Sequence, residues 1–115
     1  MIFKAVGRSL PYSNWEEAVD SLNKAVLASP NDSAIRNDLA AALVQTGNID
    51  AAMPHFIRTV GEAEAHYNVG LILHQQRDLD AAEQQFRQAL DRKPELQPAQ
   101  QWLATVMNEQ QTQLN

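Results

Sequence analysis

The chain has 115 residues, 44% of them hydrophobic and 20% charged, which is enough for one small domain and too few for two ordinary ones. Its formal net charge of -5 and its nine scattered basic residues argue against binding to nucleic acid, which needs basic residues gathered on one face. The absence of cysteine excludes disulfide bonds, thiolate zinc sites and cysteine nucleophiles, so that stability must come from packing.

The composition and the residue pattern predict an all-α protein. Glycine and proline are few, at four and five residues, and no long run of alternating β-branched residues predicts a strand. No continuous apolar segment has the length of a signal peptide or of a membrane span. A cytoplasmic location without membrane contact is therefore expected, provided that Met1 is the natural start.

The first two predicted helices lie on either side of Pro11. Apolar residues within 1–10 form a weak helical stripe and predict a short or truncated helix that Pro11 ends. After Asn14, a residue type favoured at N-caps, apolar residues recur at helical spacing as far as Pro30. They are Trp15, Ala18, Val19, Leu22, Ala25 and Val26.

Residues 33–60 predict two further helices. The first covers about residues 33–46, and Gly47 closes it. The second contains Ala52-x3-Phe56, a small residue followed four positions later by a large one. That spacing repeats Ala18-x3-Leu22 of the helix that follows Asn14, so these two helices are expected to pack in similar ways.

The second of these helices carries two irregularities. Pro54 lies inside it, removes one backbone donor and crowds the carbonyl group of Asp50, which predicts a kink. The segment is also about four residues, or one helical turn, shorter than the segment that follows it. We therefore expect this helix to end early, with Gly61 as a left-handed terminator.

Residues 63–96 hold the most regular pattern of the chain, two amphipathic halves joined at residues 76–78. Small residues recur where two helix axes would approach closely, and larger apolar residues fill the space between them. The small residues are Gly70, Ala82 and Ala89, and the larger ones are Val69, Leu73, Leu79, Phe86 and Leu90. The pattern predicts one helical hairpin.

The motifs His66-x2-Val69-Gly70-x2-Leu73, Ala82-x3-Phe86 and Pro94 resemble the tetratricopeptide repeat, whose 34-residue pattern is W-x2-L-G-x2-Y, then A-x3-F, then P. The resemblance implies a short right-handed α-solenoid of antiparallel helix hairpins with a C-terminal capping helix. It divides a single domain, residues 1–115, into a partial first repeat (1–30), a shortened repeat (33–60), a full repeat (63–96) and a capping helix (98–113). The capping helix is expected to bury Ala99, Leu103, Val106 and Met107.

The sequence predicts neither catalysis nor a metal or cofactor site. No two of the three histidines have the i, i+3 or i, i+4 spacing of metal ligands on one helix. No glycine-rich phosphate loop, nucleophile elbow or paired-carboxylate pattern is present. By its place in the repeat, His66 is expected to be a partly buried structural residue, whereas His74 is expected to be more exposed and able to contact a ligand.

The resemblance also implies a binding surface, because the first helix of each tetratricopeptide hairpin lines a concave groove. The groove residues that it implies in the shortened repeat are Asn37, Asp38, Ala41 and Gln45. In the full repeat they are Glu64, Tyr67, Asn68, Leu71, His74 and Gln75, and in the capping helix Gln101, Trp102 and Thr105. Family members that grip a terminal carboxylate use cations here, whereas only Asn68 fits such a clamp, so acidic C-terminal tails are not the expected ligand.

Two aromatic residues of this set have alternative roles. Tyr67 is either a binding residue or a packing residue against a neighbouring hairpin. Trp102 lies off the predicted apolar stripe, so it either shields the end of the core or stands in the groove, and we favour the groove. As large apolar side chains beside amides, both suit the recognition of a peptide.

Two functions of different classes follow. The first is a non-catalytic adaptor that holds a peptide or helix of a partner protein in the groove. The alternative is self-association at the N-terminal end, where Trp15, Val19 and Leu22 are expected to form an exposed apolar patch, or a role as part of a longer repeat array.

Overall fold

The computed structural model describes residues 14–114, and within this range it contains six α-helices and no strand. The helices are α1 Trp15–Ala28, α2 Ser33–Gln45, α3 Ile49–Val60, α4 Glu62–Gln75, α5 Leu79–Arg92 and α6 Gln97–Leu114. The prediction of an all-α fold is confirmed, whereas the helix predicted within 1–10 lies outside the described residues. The chain forms two compact units, Met1–Thr59 and Val60–Asn115, and each is described by itself.

Side chains at three N-caps explain why α1, α2 and α5 begin where they do. Asn14 Oδ1 accepts a hydrogen bond from the Glu17 backbone N–H at 2.7 Å, as predicted. Asp32 and Asp78 cap α2 and α5 in the same way through Oδ1. Each cap satisfies a backbone donor that the first turn leaves unpaired and contributes on the order of 1 kcal/mol.

The turns after α2 and α4 each contain one residue with a left-handed backbone, and these two residues are thirty positions apart. Gly47 has a φ of 86° and Arg77 a φ of 63°. One residue after each of them, the backbone N–H groups of Asn48 and Asp78 donate to carbonyl groups five residues earlier in the chain. These hydrogen bonds complete the helix C-termini. Glycine adopts such a backbone without strain, whereas arginine does not, so Arg77 must be held there by other contacts.

A single residue, Gly61, connects α3 to α4. Helix α3 has 12 residues where α5 has 14, so it is two residues shorter rather than the predicted full turn. The connection is shorter as well, since four residues follow α5 before α6 begins. The predicted conformation of Gly61 is wrong in part. Its φ of 87° is positive, but its ψ of 170° is extended, and the residue precedes α4 at the N-cap position. Helix α3 runs unbroken through the exposed Pro54, and the kink at Pro54 remains a prediction.

In the first unit, α1 packs against α2 through a small hydrophobic core. Ala18, Leu22, Leu39 and Ala42 are buried in it, and Trp15, Val19, Val26, Ile35 and Leu43 pack around them. The expected exposed patch at Trp15, Val19 and Leu22 is therefore wrong, because Leu22 is buried and the other two are half-buried. The exposed apolar side chain of α1 is Leu27.

In the second unit, α5 packs between α4 and α6. Phe86 is fully buried against Gly70 of α4, and a Cβ atom added to Gly70 would lie only 2.7 Å from the Phe86 ring. This contact explains the small residue at position 70, and it confirms the predicted packing of the hairpin. The larger residues around it, Val69 and Leu73, are also buried.

The buried stripe of α6 differs from the predicted one. Ala99 and Val106 are fully buried as expected, but Met107 is 45% exposed and Leu103 is half-buried. Trp102 packs inward instead, against α5. Within the described residues, no helix combines the length and the hydrophobicity that crossing a membrane would require.

Candidate functional site

Nine predicted site residues of the second unit lie on α4 and α6. Six of them are half-buried, and Gln75, Gln101 and Thr105 are exposed. On α4 they follow an i, i+3, i+4, i+7 spacing, which places them along one stripe of the helix. We call the surface formed by these nine residues the α4–α6 face: Glu64, Tyr67, Asn68, Leu71, His74, Gln75, Gln101, Trp102 and Thr105.

Aromatic contacts hold the two helices of the α4–α6 face together. The Trp102 ring stacks on Phe86 with centroids 6.2 Å apart, and it meets His74 in an edge-to-face contact at 4.8 Å. The Tyr67 ring also lies against Phe86, with centroids 5.9 Å apart, so that Phe86, Trp102, His74 and Tyr67 form one aromatic cluster. Such pairs add stability beyond the area that they bury. Trp102 therefore covers the end of the core, as one of the two alternatives predicts, and it remains half-exposed.

The Tyr67 hydroxyl group lies in this partly desolvated setting. Burial raises the pKa of Tyr67 above its usual value, and the Trp102 side chain beside it offsets part of that increase. The hydroxyl therefore stays protonated, and it can donate a hydrogen bond to a ligand at neutral pH.

A polar cluster fixes the C-terminal part of α6 to the end of α4. Glu109 Oε1 lies 2.7 Å from His74 Nε2, and Glu109 Oε2 accepts from Arg77 Nη1 at 3.2 Å. The hydrogen bond to His74 and then the contact with Arg77 hold the pKa of Glu109 below its usual value. The side chain of His74 is only 17% exposed, and His66 is half-buried as well, so the expectation that His74 is the more exposed of the two stays a prediction.

Sequence reasoning did not select Arg77 or Glu109. Glu109 is the one charged residue of α6, and this isolation in a helix of amides was the available signal. Arg77 had a second signal, because it stands where the preceding turn has Gly47. Glu109 contacts both His74 and Arg77, and His74 in turn lies against Trp102.

Three amide side chains of the α4–α6 face form no hydrogen bond with any part of the chain that the structure describes. They belong to Asn68, Gln75 and Gln101. Their donors and acceptors lie beside the half-buried Leu71 and the aromatic cluster. By contrast, Glu64 is occupied, because its Oε2 accepts from Lys93 Nζ at 3.2 Å.

His66 faces the hairpin interior, as predicted. Its Nδ1 lies 2.7 Å from Gln85 Oε1 of α5, and the residue is half-buried. The contact gives a buried polar atom its partner, which is a structural role.

The four predicted site residues of α2 are less available. Ala41 is 1% exposed, so its methyl group packs inside and offers no surface; its selection is corrected on this ground. Asn37 Oδ1 accepts a hydrogen bond from Thr59 Oγ1. Asp38 and Gln45 are half-buried. In the first unit the predicted surface is thus reduced mainly to Asp38 and Gln45.

Asp38 destabilises the folded state at neutral pH. Desolvation, and then the negative charge of Asp32, raise the pKa of its carboxyl group above 3.8. The folded state therefore holds the proton more tightly, and stability falls as the pH rises through this range. Asp38→Asn should raise the midpoint of thermal unfolding at pH 7 and leave it nearly unchanged near pH 2, where the carboxyl group is protonated in both states.

Differential scanning calorimetry of the two proteins at both pH values measures this effect. Asp50→Asn is the matched control, since Asp50 is exposed in the first turn of α3, where its charge favours the helix. A lower midpoint for Asp38→Asn at pH 7 would contradict the prediction.

A buried cation lies among the described residues of the first unit. Arg36 is 9% exposed, and its Nη2 donates to the Pro30 carbonyl oxygen at 2.7 Å. Its Nη1 lies 3.0 Å from His55 Nδ1, which must accept because a guanidinium group only donates. Desolvation, then Arg36 and Arg58, lower the pKa of His55. Both side chains serve the fold.

No catalytic arrangement emerges among the described residues. Within residues 14–114, no three histidine, aspartate or glutamate side chains come together in a way that could hold a metal ion. The closest histidine–carboxylate pair, His74 and Glu109, is bound to Arg77 as well. The nearby polar groups are amides and hydroxyls, which suit binding.

Comparison with known families agrees with this description. Two family models, both described as Tetratricopeptide repeat, match residues 63–96 and 12–66. Together they span α1 to α5, and the first coincides with the hairpin of α4 and α5. A search of curated proteins found no significant match.

Proposed function

Because this chain belongs to the tetratricopeptide repeat family, whose members generally mediate protein–protein interaction, we propose that it is a non-catalytic adaptor that binds a peptide of a partner protein on the α4–α6 face. Repeats of this family are generally not enzymes.

The unpaired amides of Asn68, Gln75 and Gln101 carry the proposal. An amide side chain offers both a donor and an acceptor, which is what the backbone of an extended peptide needs. An unoccupied amide loses only water when the peptide binds, whereas an occupied one must first break an internal hydrogen bond. The α4–α6 face therefore offers backbone recognition at little cost.

The apolar part of the face supplies the anchors. Leu71, Tyr67 and Trp102 are half-buried, so part of each side chain is still open to a ligand. Tyrosine and tryptophan contribute disproportionately to binding energy, since they are large and lose little conformational freedom. Both rings are already held by Phe86, which lowers the entropy cost of binding further.

The charges of the face argue for an uncharged ligand. Glu64 is paired with Lys93, and Glu109 is paired with His74 and Arg77. Neither carboxylate is free to bind a cationic group without losing its partner. We therefore propose that the ligand is a neutral, extended segment with one or two apolar side chains. In the first unit, Asp38 and Gln45 remain proposed contact residues.

Asn68→Ala combined with Gln101→Ala should weaken the binding of a selected peptide by about 1 to 3 kcal/mol, or roughly fivefold to 150-fold, without destabilising the protein. The ligand would be obtained by selecting a displayed random-peptide library on the wild-type protein. Isothermal titration calorimetry would then compare the two proteins with the best peptide.

Asn23→Ala is the matched control, because Asn23 is an exposed amide on α1 in the other unit. Equal affinity for the double variant and the control would refute the proposed face. Changes in backbone amide chemical shifts that are confined to α4 and α6 on addition of the peptide would locate the binding surface independently.

A further inference from the structure

Helix α6 exposes a second surface, on its other side, at the positions that α4 buries. With the 34-residue offset of the repeat, Val69, Gly70 and Leu73 of α4 correspond to Leu103, Ala104 and Met107 of α6. We call these three residues of α6 its outer face. The residues of α4 are buried beneath α5, whereas Leu103 is half-buried, Ala104 is exposed and Met107 is 45% exposed.

Two open clefts flank the outer face along the edge of α5. One, of about 300 Å³, is lined by Leu90, Leu103 and polar residues of α5. The other, of about 400 Å³, is lined by Asp80, Met107 and glutamines of α6. An apolar strip with a cleft at each end offers a place for one further helix to pack.

The contact between α4 and α5 indicates which helix would fit there. On α4, the equivalent strip is covered by Ala82 and Phe86, a small residue followed four positions later by a large one. Phe86 can lie directly on Gly70 because that residue lacks a Cβ atom. At Ala104 a Cβ atom fills this space. The large residue of a helix docked there should therefore be leucine or methionine rather than phenylalanine.

Charge selects among the possible occupants. On the rim, Arg87 pairs with Glu83 at 2.7 Å, and its Nη2 lies 3.7 Å from Met107 Sδ. Asp80 accepts a hydrogen bond from Gln110 Nε2 at 2.8 Å, but neither Asp80 nor Asp91 forms an ion pair within the part of the chain that the structure describes. These two carboxylates lie eleven residues apart on one helix, or roughly 16 Å. The only charged residue of α6, Glu109, is engaged by His74 and Arg77.

A second copy of this chain is a poor occupant on these grounds. Pairing two outer faces would bring four rim carboxylates together. Helix α1, which has the small-x3-large spacing, would add Glu16, Glu17 and Asp20 against a single lysine. Like charges facing one another oppose association, and the formal net charge of -5 adds to this opposition.

We propose that the outer face of α6 docks an amphipathic helix of a partner protein, with a small-x3-large apolar stripe and lysine or arginine on its flanks. The site is separate from the α4–α6 face and does not depend on the function proposed for it. An adaptor with both would hold an extended segment on one side of α6 and a basic helix on the other.

The probe for this proposal is a labelled, alanine-rich synthetic peptide of about 20 residues, long enough to be partly helical in water. It carries an Ala-x3-Leu-x2-Ala stripe and lysines on both flanks, and its binding to the full chain is followed by fluorescence anisotropy. A second peptide with glutamates in place of the lysines tests the charge requirement.

Ala104→Arg should weaken binding of the lysine peptide at least about tenfold, because it places a bulky cation on the outer face. The matched variant is Thr105→Arg, one position along the same helix, which should leave this peptide unaffected while impairing the ligand of the α4–α6 face. Both residues are exposed, so the fold should tolerate both changes. If Ala104→Arg does not fold, Met107→Lys replaces it.

Saturable binding of the lysine peptide that weakens in high salt and is lost in Ala104→Arg would support the proposal. Absence of binding by wild type, equal binding of the glutamate peptide, or equal losses in both arginine variants would overturn it. Sedimentation equilibrium showing a dimer that Ala104→Arg dissociates would also overturn it and would assign the outer face to a second copy.

Discussion

Replacing Gly70 by valine should lower the free energy of unfolding of the second unit by about 3 kcal/mol, at the upper end of what overpacking a core costs. The Cβ atom would lie 2.7 to 3.0 Å from three carbon atoms of the Phe86 ring. That ring is fully buried and held by Tyr67 and Trp102, so it cannot rotate away. The better helix propensity of valine offsets only a few tenths of a kcal/mol.

Denaturant unfolding followed by tryptophan fluorescence measures this change. The chain has two tryptophans, Trp15 in the first unit and Trp102 against Phe86 in the second, so a Trp15→Phe background makes the signal specific for the second unit. Phe86→Leu alone should be destabilising, because it removes packed atoms from the core.

The pair of substitutions provides the decisive comparison. In the Gly70→Val background, Phe86→Leu should cost much less, since the smaller side chain makes room for the valine. Strict additivity of the two effects would contradict the proposed clash, because residues in direct contact should show a coupling energy.

Replacing Arg36 by alanine should lower the free energy of unfolding of the first unit by about 2 kcal/mol, because it removes a buried side chain and two hydrogen bonds of a charged donor. The substitution leaves the Pro30 carbonyl oxygen and His55 Nδ1 without their donor. Lysine would not restore both contacts, because it lacks the fork of the guanidinium group. Arg58→Ala, which truncates an exposed arginine of α3, is the control and should change stability by less than about 0.5 kcal/mol.

The same site gives this variant a pH signature. The pKa of His55 is lowered in the folded state, first by desolvation and then by Arg36 and Arg58. The unfolded state therefore binds the proton first as the pH falls below 6.5, and wild-type stability should fall with it. Arg36→Ala removes one of the two cations, so its stability should depend less steeply on pH in this range. An unchanged slope would show that Arg36 does not face His55.

Local rules were enough to predict much of this fold. Asn14 was identified as a cap because an amide before an apolar stripe satisfies free backbone donors. Gly70 and Phe86 were both assigned to the packing of one hairpin, because small residues let two helix axes approach and large apolar residues fill the space between them. Such features depend on residues within one hairpin, so spacing along the chain determines them.

Features that depend on a third helix were not predictable in this way. Periodicity assigned Met107 to the core and left Trp102 either at the end of the core or in the groove, whereas the structure exposes Met107 and packs Trp102 on Phe86. Adjacent residues of a helix point about 100° apart, so a small rotation of α6 exchanges a residue at the edge of the stripe for its neighbour. The contacts of Glu109 and the pairing of Arg36 with His55 likewise join side chains far apart in sequence.

The polar cluster that fixes α6 to the end of α4 also bears on the order in which the second unit folds. The contacts of Glu109 with His74 and Arg77 span 35 and 32 residues, whereas the turn between α4 and α5 closes over a few. Loop closure costs more entropy as the loop lengthens, so we expect the hairpin to form first and α6 to dock onto it last. The helix that carries both proposed binding surfaces would then also be the first to detach when the unit opens.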